Sequence, residues 1–227
     1  LVYKQGMASE VVFIPDGPAQ VEGMLELPDS PCGLVLFAHG SGSSRHSPRN
    51  NYVASVLRKA GIGTLLMDLL TVEEDRDYRT RFDIPLLTRR LMVATRWVAG
   101  HGAVQGLNVG YFGASTGAAA ALQAAAQLKH GVAAVVSRGG RPDLAGGAAL
   151  RQVVSPTLLI VGGLDDVVIE LNRAAYEVMG CEKELVIVPG AGHLFEEPGT
   201  LEEVARLATQ WFLRFLPRAG GLSKPTP

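Results

Sequence analysis

Apolar positions change their spacing along this chain. Near the amino end they alternate with polar ones. Glu10–Ile14 and Gln20–Leu27 read as two short strands, each with one face to bury. Pro15-Asp16-Gly17 between them is a turn signal, so the pair predicts an antiparallel hairpin. Farther on, the apolar runs become continuous. Gly33–Ala38, Gly61–Met67, Leu107–Phe112, Val132–Val136, Thr157–Val161 and Glu184–Val188 read as strands of a buried sheet. Helical spacing fills the gaps at Asn50–Ala60, Thr116–Leu128 and Val167–Met179. It also appears after Asp83, a candidate cap, where Ile84, Leu87, Leu91, Ala94 and Val98 recur. The last helix carries Leu201, Val204, Leu207, Ala208, Trp211 and Phe215 on one face, and Thr200-Leu201-Glu202-Glu203 reads as its capping box.

Eight strands with helices between the later ones predict an α/β protein. The sheet is open and mostly parallel, antiparallel at its start, with helices on both faces. Ligands of such sheets bind at the carboxyl ends of the strands, so chemistry is sought just after each strand.

Composition narrows the function. The 227 residues are 47% hydrophobic and 19% charged, which excludes a wholly disordered chain. Without repeats or a splitting linker, residues 7–216 read as one domain. Residues 1–6, upstream of Met7, are left out of the fold, and residues 217–227 read as a flexible tail. Lys and Arg number 21 against 22 Asp and Glu, so no basic excess draws nucleic acid. No apolar run approaches the roughly 18 residues a membrane helix needs. Cys32 and Cys181 are too few for a disulfide framework and suggest a reducing, cytoplasmic setting. The charged stretch Glu73–Asp77 reads as a solvated loop, with a flap near the site as the sharper alternative. No H-E-x-x-H, C-x-x-C or phosphate-loop motif occurs, so neither a metal nor a nucleotide cofactor is expected.

Gly113-Ala114-Ser115-Thr116-Gly117 matches G-x-S-x-G between a strand and a helix of small residues. That is the setting of a nucleophile elbow, where a serine stands on a strained turn and bulk on either side would clash. A serine hydroxyl needs a base, and the base needs an orienting acid. His193 follows the Glu184–Val188 strand, and Asp165 follows Thr157–Val161. Asp166 is the alternative acid but is better placed to cap the next helix. The chain order Ser, Asp, His is that of α/β hydrolases. The N–H of Thr116 is the expected first oxyanion donor, and Ser41 in His39-Gly40-Ser41-Gly42 the second, with Gly42 as alternate. His39 reads as a structural residue that hydrogen-bonds this loop. Arg138, Arg141 and Arg45 follow strand ends, and Arg138 and Arg45, with Gly42, are candidate substrate contacts. Pairing with carboxylates such as Asp143 is the plainer role for the arginines.

HGSG at 39–42, GASTG at 113–117, GGLDD at 162–166 and GAGH at 190–193, in this order, resemble the α/β-hydrolase superfamily. Within it the chain most resembles the dienelactone hydrolase-like family, over about residues 10–216. The resemblance implies an eight-stranded sheet, an acyl-enzyme on Ser115 and no cofactor. Dienelactone hydrolases proper use Cys as nucleophile, so Ser115 looks more like a general carboxylesterase. Only Gly139–Arg151 occupies the place where many lipases carry a lid, which predicts an open site without a large lid and small or short-acyl esters. Thioesterase, amidase, lactonase or perhydrolase chemistry on the same triad is the alternative, and a non-catalytic binding protein a more distant one. The expected partner is a small-molecule ester, and the edge strands and exposed helices leave room for a homodimer.

Overall fold

The computed structural model describes residues 2–4 and 7–217, so the expected tail lies, apart from Pro217, outside the described residues. A hairpin of β2 (Met7–Asp16) and β3 (Ala19–Pro28) opens the fold, with a three-residue strand β1 (Val2–Lys4) paired to its outer edge. Residues 1–6 were left out of the fold by their sequence, yet three of them extend the sheet. Pro15 and Asp16 remain in the strand, and the turn is Gly17-Pro18, with Asp16 opposite Ala19. Gly17 at φ +62° supplies the positive φ that a two-residue hairpin turn demands.

The chain then runs through β4 (Leu34–Ala38), α1 (Pro48–Lys59), β5 (Gly63–Met67), α2 (Val72–Asp75), α3 (Ile84–Gly100), β6 (Val109–Ala114) and α4 (Thr116–Leu128). It continues with β7 (Ala134–Arg138), α5 (Gly147–Gln152), β8 (Thr157–Gly162), α6 (Asp166–Val178), β9 (Lys183–Val188) and α7 (Thr200–Phe215). The strands form one open sheet in the order β1-β2-β3-β5-β4-β6-β7-β8-β9. The eight expected strands are present; in sheet order the pairs from β1 through β3 to β5 are antiparallel, and those from β5 through β4 to β9 are parallel. The order reverses direction at β4, which pairs with β5 on one side and β6 on the other. A crevice opens at such a reversal, at the carboxyl ends of β4 and β6.

Every residue of β4 through β8 is buried, as their unbroken apolar runs require. β9 is the sheet's other edge and is only half-buried. Leu36, Tyr111 and Val135 face the layer of α3 and α4, whereas Phe37, Phe112 and Val136 face α1 and α7. Phe37 and Phe112 are register partners on β4 and β6, with ring centroids 4.9 Å apart. α4 is buried on nearly every side because Ala118–Ala121 and Ala124–Ala126 let it lie close against the sheet.

Asp83 caps α3 as expected, accepting the Leu86 N–H at 3.0 Å. The cap expected for α7 differs. Its N-cap is Gly199 at φ +83°, and the Thr200 hydroxyl donates to the Glu197 carbonyl at 2.7 Å instead. A capping box does form at Thr71–Glu74 and opens the four-residue helix α2, which overlaps the Glu73–Asp77 stretch expected as a solvated loop. Glu74 also pairs with the almost fully buried Arg90, tying this short segment to α3. Among the described residues no helix is long and apolar enough to cross a membrane.

Candidate active site

β6 ends at Ala114 and α4 begins at Thr116, which leaves Ser115 alone on the turn between them. Its backbone is at φ +50°, ψ −121°, a region that a β-carbon opposes. Close packing holds it there. A β-carbon on Gly117 would lie 2.1 Å from the Ala38 carbonyl oxygen, and one on Gly113 would lie 2.5 Å from Ala118 Cα. Both obstacles are backbone, so the two outer glycines of the motif are sterically required. Ser115 itself is half-buried.

Asp165 and His193 hang from adjacent strands, β8 and β9, and meet at 2.6 Å between Oδ2 and Nδ1. Of the two neighbouring aspartates, Asp165 is the one bonded to the imidazole. Asp165 occupies the N-cap position of α6, but its carboxylate turns to the imidazole rather than to the helix. Asp166 was expected to cap this helix. It is instead the first helical residue, an acidic side chain beside the positive end of the dipole.

Ser115 and His193 reach the same rim through the end of β7. The Ser115 N–H donates to the Arg138 carbonyl at 3.3 Å. A β-carbon on the next residue, Gly139 at φ +51°, would lie 3.1 Å from the His193 carbonyl oxygen and 3.6 Å from its Nδ1 and Cε1. Among the described residues no hydrogen bond joins the Ser115 hydroxyl to the imidazole.

The loop after β4 lies against the elbow. A β-carbon on Gly40 would lie 3.1 Å from Ser115 Cβ. Ser41, Gly42 and Thr116 line one small depression there, with Arg81 and Leu70. The Thr116 N–H is a first-turn amide of α4 and has no intrahelical acceptor. His39 takes the structural position expected of it. Its Nδ1 donates to the Gly40 carbonyl at 2.9 Å, and its Nε2 accepts the Leu69 N–H at 3.0 Å. Burial holds this imidazole below the usual histidine range, against the opposing pull of Gly40 and Asp68.

The arginines divide. Arg45 is taken up by Asp68 and Glu22, and Arg141 by Asp143 at 2.7 Å. Arg138 is 6% exposed and forms none of the salt bridges among the described residues. Burial, helped by the like charge of Arg49, pushes its pKa down to about 10, so it stays charged near neutrality. Sequence reasoning missed two parts of the site. Glu197 Oε2 accepts the Gly192 N–H at 3.0 Å and so ties down the loop that carries His193. This bond holds the Glu197 carboxyl below the usual carboxylate range. Arg81 reaches toward Gly42 from just beyond the charged stretch Glu73–Asp77, at a position the sequence did not single out.

Among the described residues no large lid covers the site. Between β7 and β8 lie a single 3-10 turn at Pro142–Ala145 and α5. Among the described residues no cluster of His, Cys, Asp and Glu has metal-binding geometry.

The open, mostly parallel sheet with its central reversal of strand order has the α/β-hydrolase fold. No family model matches the chain. A dienelactone hydrolase from Anabaena variabilis ATCC 29413 is 55% identical, with a TM-score of 0.90 over 93% of this chain and 99% of that one. The chain belongs to the dienelactone hydrolase-like family. Est1E from Butyrivibrio proteoclasticus shares the fold at 16% identity, with a TM-score of 0.77 over 90% of this chain and 98% of its own. A Mycobacterium tuberculosis (strain ATCC 25618 / H37Rv) protein provisionally named a phosphoribosyl transferase is 59% identical over 210 residues. Those residues are 92% of this chain and 47% of that protein, so the chain spans about half the length of the curated relatives it matches.

Proposed function

We propose that the chain is a serine carboxylesterase acting on small or short-acyl esters. The observation that carries the reading is the strained Ser115 turn, positive in φ and locked by backbone contacts, on the same rim as a histidine already bonded to its aspartate. The Ser115 hydroxyl attacks the ester carbonyl while His193 takes its proton. The acyl group is then bonded to Ser115 Oγ, and His193 returns the proton to the departing alkoxide. Water attacks the acyl-enzyme by the same route, releasing the acid and restoring the hydroxyl. Asp165, bonded to Nδ1, fixes the tautomer that leaves Nε2 free to accept, and stabilises the imidazolium. The Thr116 amide and the Ser41 amide, with Gly42 as alternate, receive the oxyanion. The short connection from β7 to β8, a 3-10 turn and α5 among the described residues, supports small substrates.

The phosphoribosyl transferase name belongs to proteins of about twice this length, and the segment shared with them is the one with the hydrolase fold. The reading therefore stays with ester hydrolysis. It is tested by labelling with a fluorophosphonate and by turnover of p-nitrophenyl esters of increasing chain length. Labelling should map to Ser115 and vanish in Ser115→Ala, and turnover should fall as the acyl chain grows. A Ser115→Ala protein that hydrolyses esters at the native rate refutes the assignment.

A further inference from the structure

Arg138 ends β7 with a guanidinium that has no ionic partner among the described residues. Its Nε is buried without an acceptor. Alternate residues of a strand share a face, so its side chain follows Ala134 and Val136 toward α1 and α7. There its Cζ lies 5.8 Å from the centroid of the Phe195 ring. Phe195 is two residues beyond His193, is 1% exposed, and holds a backbone φ of +55°. Such a backbone persists only where its surroundings over-determine it.

At its main chain Arg138 accepts the Ser115 N–H, and its neighbour Gly139 lies against the His193 ring. One residue thus touches the serine turn through its carbonyl and the histidine loop through its side chain. The geometry points to Arg138 as a positioning residue: its guanidinium, against the Phe195 ring, fixes the loop so that the imidazole stays in register with the Ser115 hydroxyl. This rests on the roles proposed above for Ser115 and His193. A guanidinium suits the task because it is flat, stacks on rings and is weakly hydrated, and its attraction to a ring grows when both are desolvated. Glu197 gives the loop an independent tie through Gly192, so the fold does not depend on Arg138 alone.

The test uses the full chain with Arg138→Met, Arg138→Lys, Phe195→Leu and the Arg138→Met/Phe195→Leu double variant. One readout is kcat and KM on a neutral p-nitrophenyl ester and on a carboxylate-bearing ester. The other is the downfield NMR resonance of the His193 Nδ1 proton, assigned by its loss in His193→Ala. Arg138→Met should lower kcat about tenfold to a hundredfold on both esters, the scale expected of a misplaced catalytic group. KM should stay within about twofold, since no substrate contact is removed. The resonance should broaden or vanish, and Arg138→Lys, which keeps the charge but not the flat stacking group, should recover only part of both signals. The double variant should be no worse than the worse single one.

Native kcat with a sharp resonance in Arg138→Met overturns the inference. So do additive losses in the double variant, or a loss confined to the carboxylate-bearing ester, which would make Arg138 a substrate contact. If Arg138→Met does not fold, Phe195→Leu and Arg138→Lys carry the same comparison. If the native chain hydrolyses neither ester, the esterase reading fails, and the resonance alone decides the role of Arg138. Its retention in Arg138→Met refutes that role, and its loss there with partial return in Arg138→Lys supports it.

Discussion

Replacing Ser115 by glycine should stabilise the protein relative to replacing it by alanine. Both variants lack the hydroxyl, so their difference isolates the β-carbon. At φ +50°, ψ −121° a residue with a β-carbon sits in a backbone region costing about 1–3 kcal/mol. Glycine relieves this strain but gives back about 0.5–1 kcal/mol through the greater freedom of its unfolded chain. The methyl group lost from this half-buried site removes a few tenths of a kcal/mol of packing, less than the ~0.8 kcal/mol of a fully buried methylene. The net advantage of glycine is then about 1 kcal/mol. For a domain of this size that shifts Tm by about 2–4 °C. Urea unfolding and thermal melts of the two variants, followed by circular dichroism, measure it. Equal stability, or an advantage for alanine, would show that the turn is unstrained and would remove the physical basis for an elbow at Ser115.

Two further outcomes follow from the site. Asp165→Asn should lower kcat by on the order of 10³–10⁴, since an amide no longer holds the imidazole in its working tautomer. Asp166→Asn should leave kcat close to native and change stability by no more than about 0.5 kcal/mol; esterase kinetics on the two variants separate the neighbours, and reversed effects would move the acid to Asp166. His39 predicts a pH dependence. Its pKa lies below the unfolded value of about 6.5, so the folded state favours the neutral ring. Its contribution to stability is full above about pH 6.5 and is lost as the pH falls from there toward the folded pKa. His39→Gln should be less stable at pH 7.5 and lose less between pH 7.5 and 5 in urea titrations; an unchanged pH dependence would contradict the role.

The sequence legibly encodes whatever depends on local pattern. Continuous apolar runs marked the strands buried on both faces, and alternation marked the hairpin. Glycines flanking Ser115 showed where a backbone must approach another closely. The loops carrying His39, Asp165 and His193 were legible because each directly follows a strand, and a parallel sheet carries successive strand ends to one rim. Capping was less legible. A hydroxyl followed three residues later by Glu occurs at both Thr71 and Thr200, and only the path of the chain before each helix decides whether a box closes. At α7 the chain enters through Gly199 with positive φ, which turns Thr200 back to Glu197.

Side-chain partners were the least legible, because they are distant along the chain. The sequence placed Arg45, Arg138 and Arg141 alike after strand ends, but could not show that Asp68 and Glu22 reach Arg45 while Arg138 turns under Phe195. Local pattern fixes which residues form strands and which stand at their ends, because backbone geometry and burial repeat over a few residues. Which charges are neutralised, and how the loop bearing His193 is held, depends on contacts between remote segments that only the packed sheet and its loops bring together.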